Sequence, residues 1–426
     1  MKNYDEYEIA FLGGLFPKEI EIEVLKKSKG TVQLAANSFQ WSLIEGLESN
    51  IMKPLRLFNT MFVGSYPRRY RDVLVKGFTF SHTYGAEDIN IGYLNFSIIK
   101  QFHIPMVLKR TLGDWVSKDR DKKKVLIIYS VQHSFMQLVR FLKLKDENLH
   151  ICVTVNDLPI FTSMHKMNNI FYSLARSRTM KAFRKAIKLI DSFMLVTEPM
   201  CKYLGIEDKP YVIVEGMVTQ GSDILNNSTK QSDEKTKRIV YTGTLTKKYG
   251  ILDLISAFRL LRSEEYKLII CGDGEAKETV INAAKEDKRI EYLGTQPHDT
   301  VLDIQRKASV LVNPRKNNEE YTRYSFPWKL IEYMLSGNPV ICYKLDGIPD
   351  EYDDFLVYVE DGSPLVLASK IEEICSMSSS ERNTLGRRNR EFILREKNNV
   401  IQTKKIIDMI FRNRSIDAFG CDHHDK

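Results

Sequence analysis

The residues best suited to chemistry lie between Arg238 and Ile341, most densely in Tyr324-Ser-Phe-Pro-Trp-Lys-Leu-Ile-Glu332 and the Tyr-Met-Leu-Ser-Gly337-Asn-Pro-Val-Ile that follows. Ser325 is placed to cap a short helix over 328–335, Gly337 to close it, and Pro339-Val-Ile to begin a buried strand. A helix start of this kind turns backbone N–H groups toward an anion. Tyr324, Ser325 and Phe326 stand at that start, Lys329 is one turn in, and Glu332 offers a carboxylate to hydroxyl groups. Upstream, the strand-like Leu311-Val-Asn-Pro delivers Arg315 and Lys316 to the same edge. For Arg315 and Lys329 alike, either a phosphate oxygen or a surface salt bridge accounts for the charge.

Two glycine-bearing turns precede this segment. Gly243-Thr244-Leu-Thr-Lys-Lys-Tyr-Gly250 joins a strand to a helix, where α/β sheets hold ligands, and Lys247 or Lys248, preferably Lys248, supplies a cation there. A solvated basic turn is the alternative. Cys271-Gly272-Asp-Gly274-Glu also runs from strand to helix, but without a third glycine it is a weak phosphate-loop signal. Near the start, Gly13-Gly14 follows a first strand and either admits another molecule close to the backbone or makes only a tight turn.

The order of these parts resembles the retaining, nucleotide-sugar-dependent glycosyltransferases of the GT-B fold, family 4, from Tyr241-Thr-Gly-Thr-Leu to Gly347-Ile-Pro-Asp-Glu-Tyr352. In that family two glutamates eight residues apart flank the helix start, one near the donor sugar and one near the ribose. Glu332 fits the second position, while Tyr324 stands at the first, with Glu319 and Glu320 just upstream. The resemblance implies a diphosphate near Gly243, Gly272 and Gly274, although Thr244 and Tyr249 replace the family's arginine and lysine. It places the base near Thr295 and Gln296 and the acceptor near Gly13 and Gly14. Where the family often has a sugar-contacting histidine, this chain has Asn156-Asp157, which either hold hydroxyls or make a plain turn. His133, after the preceding strand, is a weaker acceptor-side candidate.

Positioning these residues takes more than one core. At 426 residues and 43% hydrophobic content the chain suits two domains of roughly 200 residues each. Short, nearly continuous apolar strands at 8–12, 57–63, 125–129, 151–155, 193–196 and 211–214, with helical stretches such as 135–144 between, read as a doubly wound parallel α/β sheet over residues 1–220. The polar run 221–237 is the expected boundary. A second alternation over 238–399 predicts another Rossmann-like domain, and a terminal segment, 400–426, is expected to return to the first.

A net charge of +8 and a pI near 8.9 favour anionic partners. The segment 176–190 carries cations beside Leu174, Phe183, Ile187 and Ile190, as either an anionic-lipid face or a core-packed helix. No window of eighteen apolar residues and no signal-like start is present, which predicts a cytoplasmic protein, at most peripheral on the inner membrane face. The scattered cysteines predict buried thiols, and Cys421-Asp-His423-His424 resembles metal ligands in composition alone.

The expected reaction is transfer of a sugar, with retention, from a nucleotide diphosphate sugar, a UDP-sugar favoured, to a saccharide or lipid-linked acceptor. Lys248, Asp157 and Asn156 are the expected catalytic groups. Neither cofactor, metal nor nucleic acid is expected, and the resemblance implies that the departing phosphate helps deprotonate the acceptor. An epimerase of the same fold and a noncatalytic nucleotide-sugar-binding module are the rivals.

Overall fold

A computed structural model describes residues 4–30, 32–119, 121–158, 160–161, 170–221, 236–360 and 362–412, with 170–176 given by backbone alone. The polar run 222–235, the Cys421–His424 tail and the end of the expected terminal segment lie outside them. The chain divides into two compact units: Met1–Val196, Met200–Val214 and Asn399–Lys426 make one, and Thr197–Pro199 with Glu215–Asn398 the other. Residues 215–220, expected with the first half, therefore belong to the second. Glu215 is held there by Tyr352 and Lys397.

The first unit runs β1 (Tyr7–Gly13), α1 (Glu21–Lys27), α2 (Leu34–Ile51), β2 (Arg56–Asn59), β3 (Leu74–Val75), β4 (Phe78–Phe80), β5 (Asp88–Asn90), β6 (Tyr93–Leu94) and α3 (Ile99–Ser117). It continues with β7 (Lys123–Tyr129), α4 (His133–Lys145), β8 (His150–Val155), α5 (Ile170–Ile187), β9 (Ser192–Leu195), α6 (Pro199–Leu204) and β10 (Tyr211–Ile213). Its sheet order is β10-β9-β8-β7-β1-β2-β5-β4. All neighbours are parallel except β4 against β5. The strands are short apolar runs because helices cover both faces: Val125 to Ile128 are wholly buried.

Three features differ from the sequence expectation. The strand expected over 57–63 stops at Asn59, whose amide donates to Leu15 O at 3.0 Å and to Asn90 Oδ1 at 2.8 Å. Met61 and Val63 instead join Tyr70, Val75 and Tyr93 in a small satellite core. The β4–β5 hairpin and helix α3 were not anticipated; Pro105 inside α3 reads as a helix breaker in sequence.

The second unit runs β11 (Lys237–Thr242), α7 (Ile251–Leu260), β12 (Tyr266–Cys271), α8 (Lys277–Glu286), β13 (Ile290–Gly294), α9 (His298–Arg306) and β14 (Val310–Asn313). Then come α10 (Lys329–Leu335), β15 (Val340–Tyr343), β16 (Val357–Val359), α11 (Pro364–Ser376) and α12 (Ser379–Glu396). Its parallel sheet has the order β13-β12-β11-β14-β15-β16. Succession therefore reverses between β11 and β14, and in such sheets a ligand crevice opens at the carboxyl ends of the strands flanking that point.

The last helix, α13 (Asn399–Arg412), packs on α2 within the first unit. Asn50 donates to Val400 O and Thr403 Oγ1, and a Cβ on Gly46 would lie 2.4 Å from Asn399 O, so a side chain there would push the helices apart.

Candidate functional site

The switch point of the second sheet brings three loops together, those after β11, β12 and β14. Leu245 N donates to Asp273 O and Ala276 N to Leu245 O, each at 2.9 Å, which zips the first two side by side. A Cβ on Gly272 would stand 1.8 Å from Gly243 O, and one on Gly274 2.3 Å from Leu245 O. Both glycines have positive φ, 142° and 158°, so this loop-to-loop approach is what requires them. At Gly243 (φ 141°) the obstacle is different: an added Cβ would meet Lys329 Nζ at 2.6 Å. Gly243 thus leaves room for an ammonium group at the carboxyl end of β11.

Lys329 Nζ is over the Tyr241 ring, 4.4 Å from its centroid, and donates to Tyr241 Oη at 3.3 Å. Burial and the neighbouring Arg315 push its pKa down to about 8, with Glu332 partly opposing them. Arg315, delivered by β14, is 7% exposed and stacks on Tyr321 and Tyr249 at 4.7 and 5.5 Å. One guanidinium nitrogen donates to Ser325 Oγ at 2.6 Å, and Ser325 in turn donates to Tyr321 O. Arg315 Nε and the Tyr321 hydroxyl are buried with no partner among the described residues.

Neither cation forms an ion pair with a carboxylate among the described residues. Its neighbour Lys316 does, with Asp253 at 2.9 Å. Arg315 is buried and Lys329 half-buried, and cations held so without counter-ions are costly, so an anionic oxygen placed beside them would be favoured. Glu332, on the same short helix as Lys329, faces His298 at 3.8 Å, and its carboxylate has no hydrogen bond among the described residues. Burial raises its pKa, while His298 and Lys329 pull it down.

Several predicted roles change. Ser325 does not cap the helix: it ends a 3-10 turn over Glu320–Tyr324, and α10 starts only at Lys329 with no side-chain cap. The hydroxyl is engaged by Arg315 instead. Phe326 is 5% exposed and packs against Tyr352 at 5.4 Å, which makes it a core residue. Lys248 sits on the 3-10 turn Lys247–Tyr249, but the cation facing Gly243 is Lys329. Thr244 is exposed and its carbonyl accepts from Tyr241 Oη, while Tyr324 is half-buried. Gln296 folds back onto Leu293 O at 2.5 Å beside an exposed Thr295.

In the first unit, Asn156 and Asp157 follow β8, and His133 opens α4 after the neighbouring β7. Asn156 Oδ1 is buried without a partner among the described residues. Surrounding protein desolvates the Asp157 carboxyl and raises its pKa, although the residue keeps access to solvent. Burial shifts the His133 pKa downward, with a hydrogen bond to the Arg178 backbone opposing it, and its Nε2 lies 2.8 Å from Gln137 Nε2. Gly13 and Gly14 are closed to an approaching molecule. Gln40 Oε1 accepts from Gly14 N at 2.8 Å, and a Cβ on Gly14 would lie 1.8 Å from Phe62.

Helix α5 turns Phe183 and Ala186 into the core while Arg184 and Lys185 face solvent, and just beyond it Ile190 is buried and Lys188 exposed. Leu174 and Arg176 have side chains outside the described set. Sequence reasoning missed the three tyrosines. The clue was Tyr249, which stands in a cation's usual place and supports Arg315 by stacking.

Residues 225–392 match the family model described as Glycosyl transferases group 1. No curated protein sequence matches the chain. Among solved structures, sucrose-phosphate synthase from Thermosynechococcus elongatus superposes with a TM-score of 0.62 at 14% identity, covering 97% of this chain and 100% of that one. The lipopolysaccharide outer core galactosyltransferase WaaB gives 0.60 at 15% identity over 95% and 99%. HepE from Anabaena, solved with UDP, gives 0.59 at 13% over 97% and 100%. The fold is GT-B: two Rossmann-like α/β units with parallel sheets.

Proposed function

We propose that this chain transfers a sugar, with retention, from a nucleotide diphosphate sugar to a saccharide or lipid-linked saccharide in surface-polysaccharide synthesis. The observation that carries this reading is the pair Arg315 and Lys329, two cations without carboxylate partners beside the Gly243 turn at the switch point of the second sheet. The glycosyltransferase model over 225–392 spans that site, and the UDP complexes of HepE and of the structural relative TarM make a UDP-sugar the first donor to test.

In the proposed reaction Arg315 and Lys329 hold the diphosphate and stabilise charge as it departs, while Glu332 accepts from ribose hydroxyls. Asn156 and Asp157 offer polar groups for sugar hydroxyls on the first unit. Transfer is expected to proceed in EDTA; complete loss that manganese alone restores would contradict that expectation.

Calorimetric titration of UDP, GDP and dTDP provides the test. One of them should bind, and Arg315→Met should weaken it by roughly tenfold or more, the scale of charge-assisted hydrogen bonds. Incubation with the matching nucleotide sugar, with and without acceptor saccharides, then separates transfer from epimer formation and from binding alone. No binding of any of the three nucleotides would overturn the reading.

A further inference from the structure

We propose that the outward face of α3, together with the β3–β6 ribbon, docks on an anionic lipid bilayer. The inference is independent of the nucleotide site. Ile98, Phe102 and Met106 are 73%, 70% and 61% exposed, and Ile99 beside them 43%. At about 100° per residue these four fall within one arc of roughly 100° on the helix. Leu74 and Leu94 are directly paired across the β3–β6 ribbon and are also exposed. Leu94 N donates to His103 Nδ1 at 3.1 Å, which ties this ribbon to the helix beside its apolar face. The opposite side of α3, with Leu108, Leu112 and Trp115, is fully used in the core.

Charge identifies the occupant. Between Ile89 and Gly113 the sequence has no acidic residue, and it contributes Lys100, Lys109 and Arg110. Lys100 turns inward to Val63 O, so the rim is carried by Lys109 and Arg110; Lys109 and Lys145 both lie over the Phe141 ring, at 5.9 and 5.7 Å, which extends it onto α4. Arg68, Arg69 and Arg71 border the ribbon side, where Asp72 is already paired with Lys27 at 2.6 Å. Large apolar side chains framed by cations match an interfacial surface, in which the apolar groups enter the headgroup boundary and the cations meet anionic lipids. A second copy fits poorly. A two-fold contact would set this rim against itself, cation facing cation, with no carboxylate to intervene. Among its described side chains, helix α5, though basic, buries Phe183 and exposes no large apolar group.

Flotation of the full chain with vesicles of phosphatidylcholine, or of phosphatidylcholine mixed with phosphatidylglycerol, tests the proposal. The chain should float with the mixed vesicles only, and less as salt is raised. The pairs Phe102→Ser with Met106→Ser, and Lys109→Glu with Arg110→Glu, should each reduce binding by about tenfold or more. Arg184→Glu with Lys185→Glu on α5 should leave most of it. Circular dichroism melts establish that each variant is folded, and Phe102→Trp gives a direct readout through a blue-shifted emission on mixed vesicles. The proposal is overturned if the intact chain ignores phosphatidylglycerol vesicles. The same follows if the folded Phe102/Met106 variant binds unchanged, or if the α5 variant loses as much as the α3 variants. Lipid-free self-association abolished by the Phe102/Met106 changes would also overturn it, by giving the face to a second copy.

Discussion

The ammonium of Lys397 lies 2.5 Å from Glu215 Oε1, and neither side chain reaches solvent. Tyr352 donates its hydroxyl to the same oxygen at 2.7 Å, and Glu351 adds a second carboxylate to Lys397. The rings of Tyr352 and Phe392 lie beneath the ammonium at 5.0 and 5.5 Å. Glu215 begins the main segment of the second unit and Asn398 ends it, and Val218 N donates to Lys397 O at 2.9 Å. The ion pair therefore closes the second unit where its chain enters and leaves.

Removing one partner strands the other charge in a dry site, which typically costs about 3–5 kcal/mol. Lys397→Met should destabilise the second unit on that scale, and adding Glu215→Gln should recover part of the loss. Denaturant unfolding with a tryptophan or proteolysis readout measures both. A single-variant cost below about 1 kcal/mol would show that the pair is not what holds this junction.

A second buried cluster sets a pH dependence in the first unit. His82 places Nδ1 2.6 Å from Asp88 and Nε2 2.8 Å from Glu48. Burial alone would discharge the ring, but the hydrogen bonds to both carboxylates overcome it and hold the pKa up at about 9. Because the folded value lies above the ordinary 6.5, this stabilisation is complete below about pH 6.5 and is lost as pH rises through about 9. The interval is equivalent to about 3 kcal/mol. His82→Gln should flatten the alkaline decline in melting temperature between pH 6 and 10; a decline of unchanged slope would refute the assignment.

Much of this architecture was legible because parallel strands covered on both faces read as continuous apolar runs, as in Val125 to Tyr129 or Ile239 to Thr242. Residues whose neighbours come from distant elements were not legible. Ser325 has the right type and position for a helix cap, yet a guanidinium ten residues upstream claims its hydroxyl. The glycine pair at 13 and 14 looks open in sequence but is filled by Phe62 and Gln40. Helix α3 escaped notice because its apolar residues serve the core on one side and remain exposed on the other, which blurs the helical period.

Lys329 predicts how nucleotide affinity should vary with pH. Its pKa, pushed down to about 8 by burial and by Arg315, keeps it cationic below that pH and neutral above. Nucleoside diphosphate binding should therefore weaken as pH rises through about 8, with proton uptake on binding in that range. Lys329→Gln should bind more weakly at pH 7 and lose most of this dependence. Calorimetry in two buffers of different ionisation enthalpy reads the proton uptake directly, and none in the wild type at pH 8 would remove Lys329 from the anion site.

Glu332 tests the ribose assignment and the motif alignment together. Its neighbours Leu330, Ile331 and Met334 are buried, so they fix the helix while the carboxylate stays partly open, 35% exposed. A purely structural role would need a firm local partner. Among the described residues it has only His298 at 3.8 Å, with no ion pair to Lys329. Burial holds its pKa up, so the carboxylate gains from hydroxyl donors that a bound ribose would supply. Even one charge-assisted hydrogen bond, at roughly 1.5–3 kcal/mol, corresponds to about 10- to 150-fold in affinity. Glu332→Gln should therefore weaken nucleoside diphosphate binding by at least about tenfold while moving stability by no more than about 0.5 kcal/mol. If calorimetry finds the variant's Kd unchanged, the carboxylate does not face the ribose, and the alignment that placed it there fails with it.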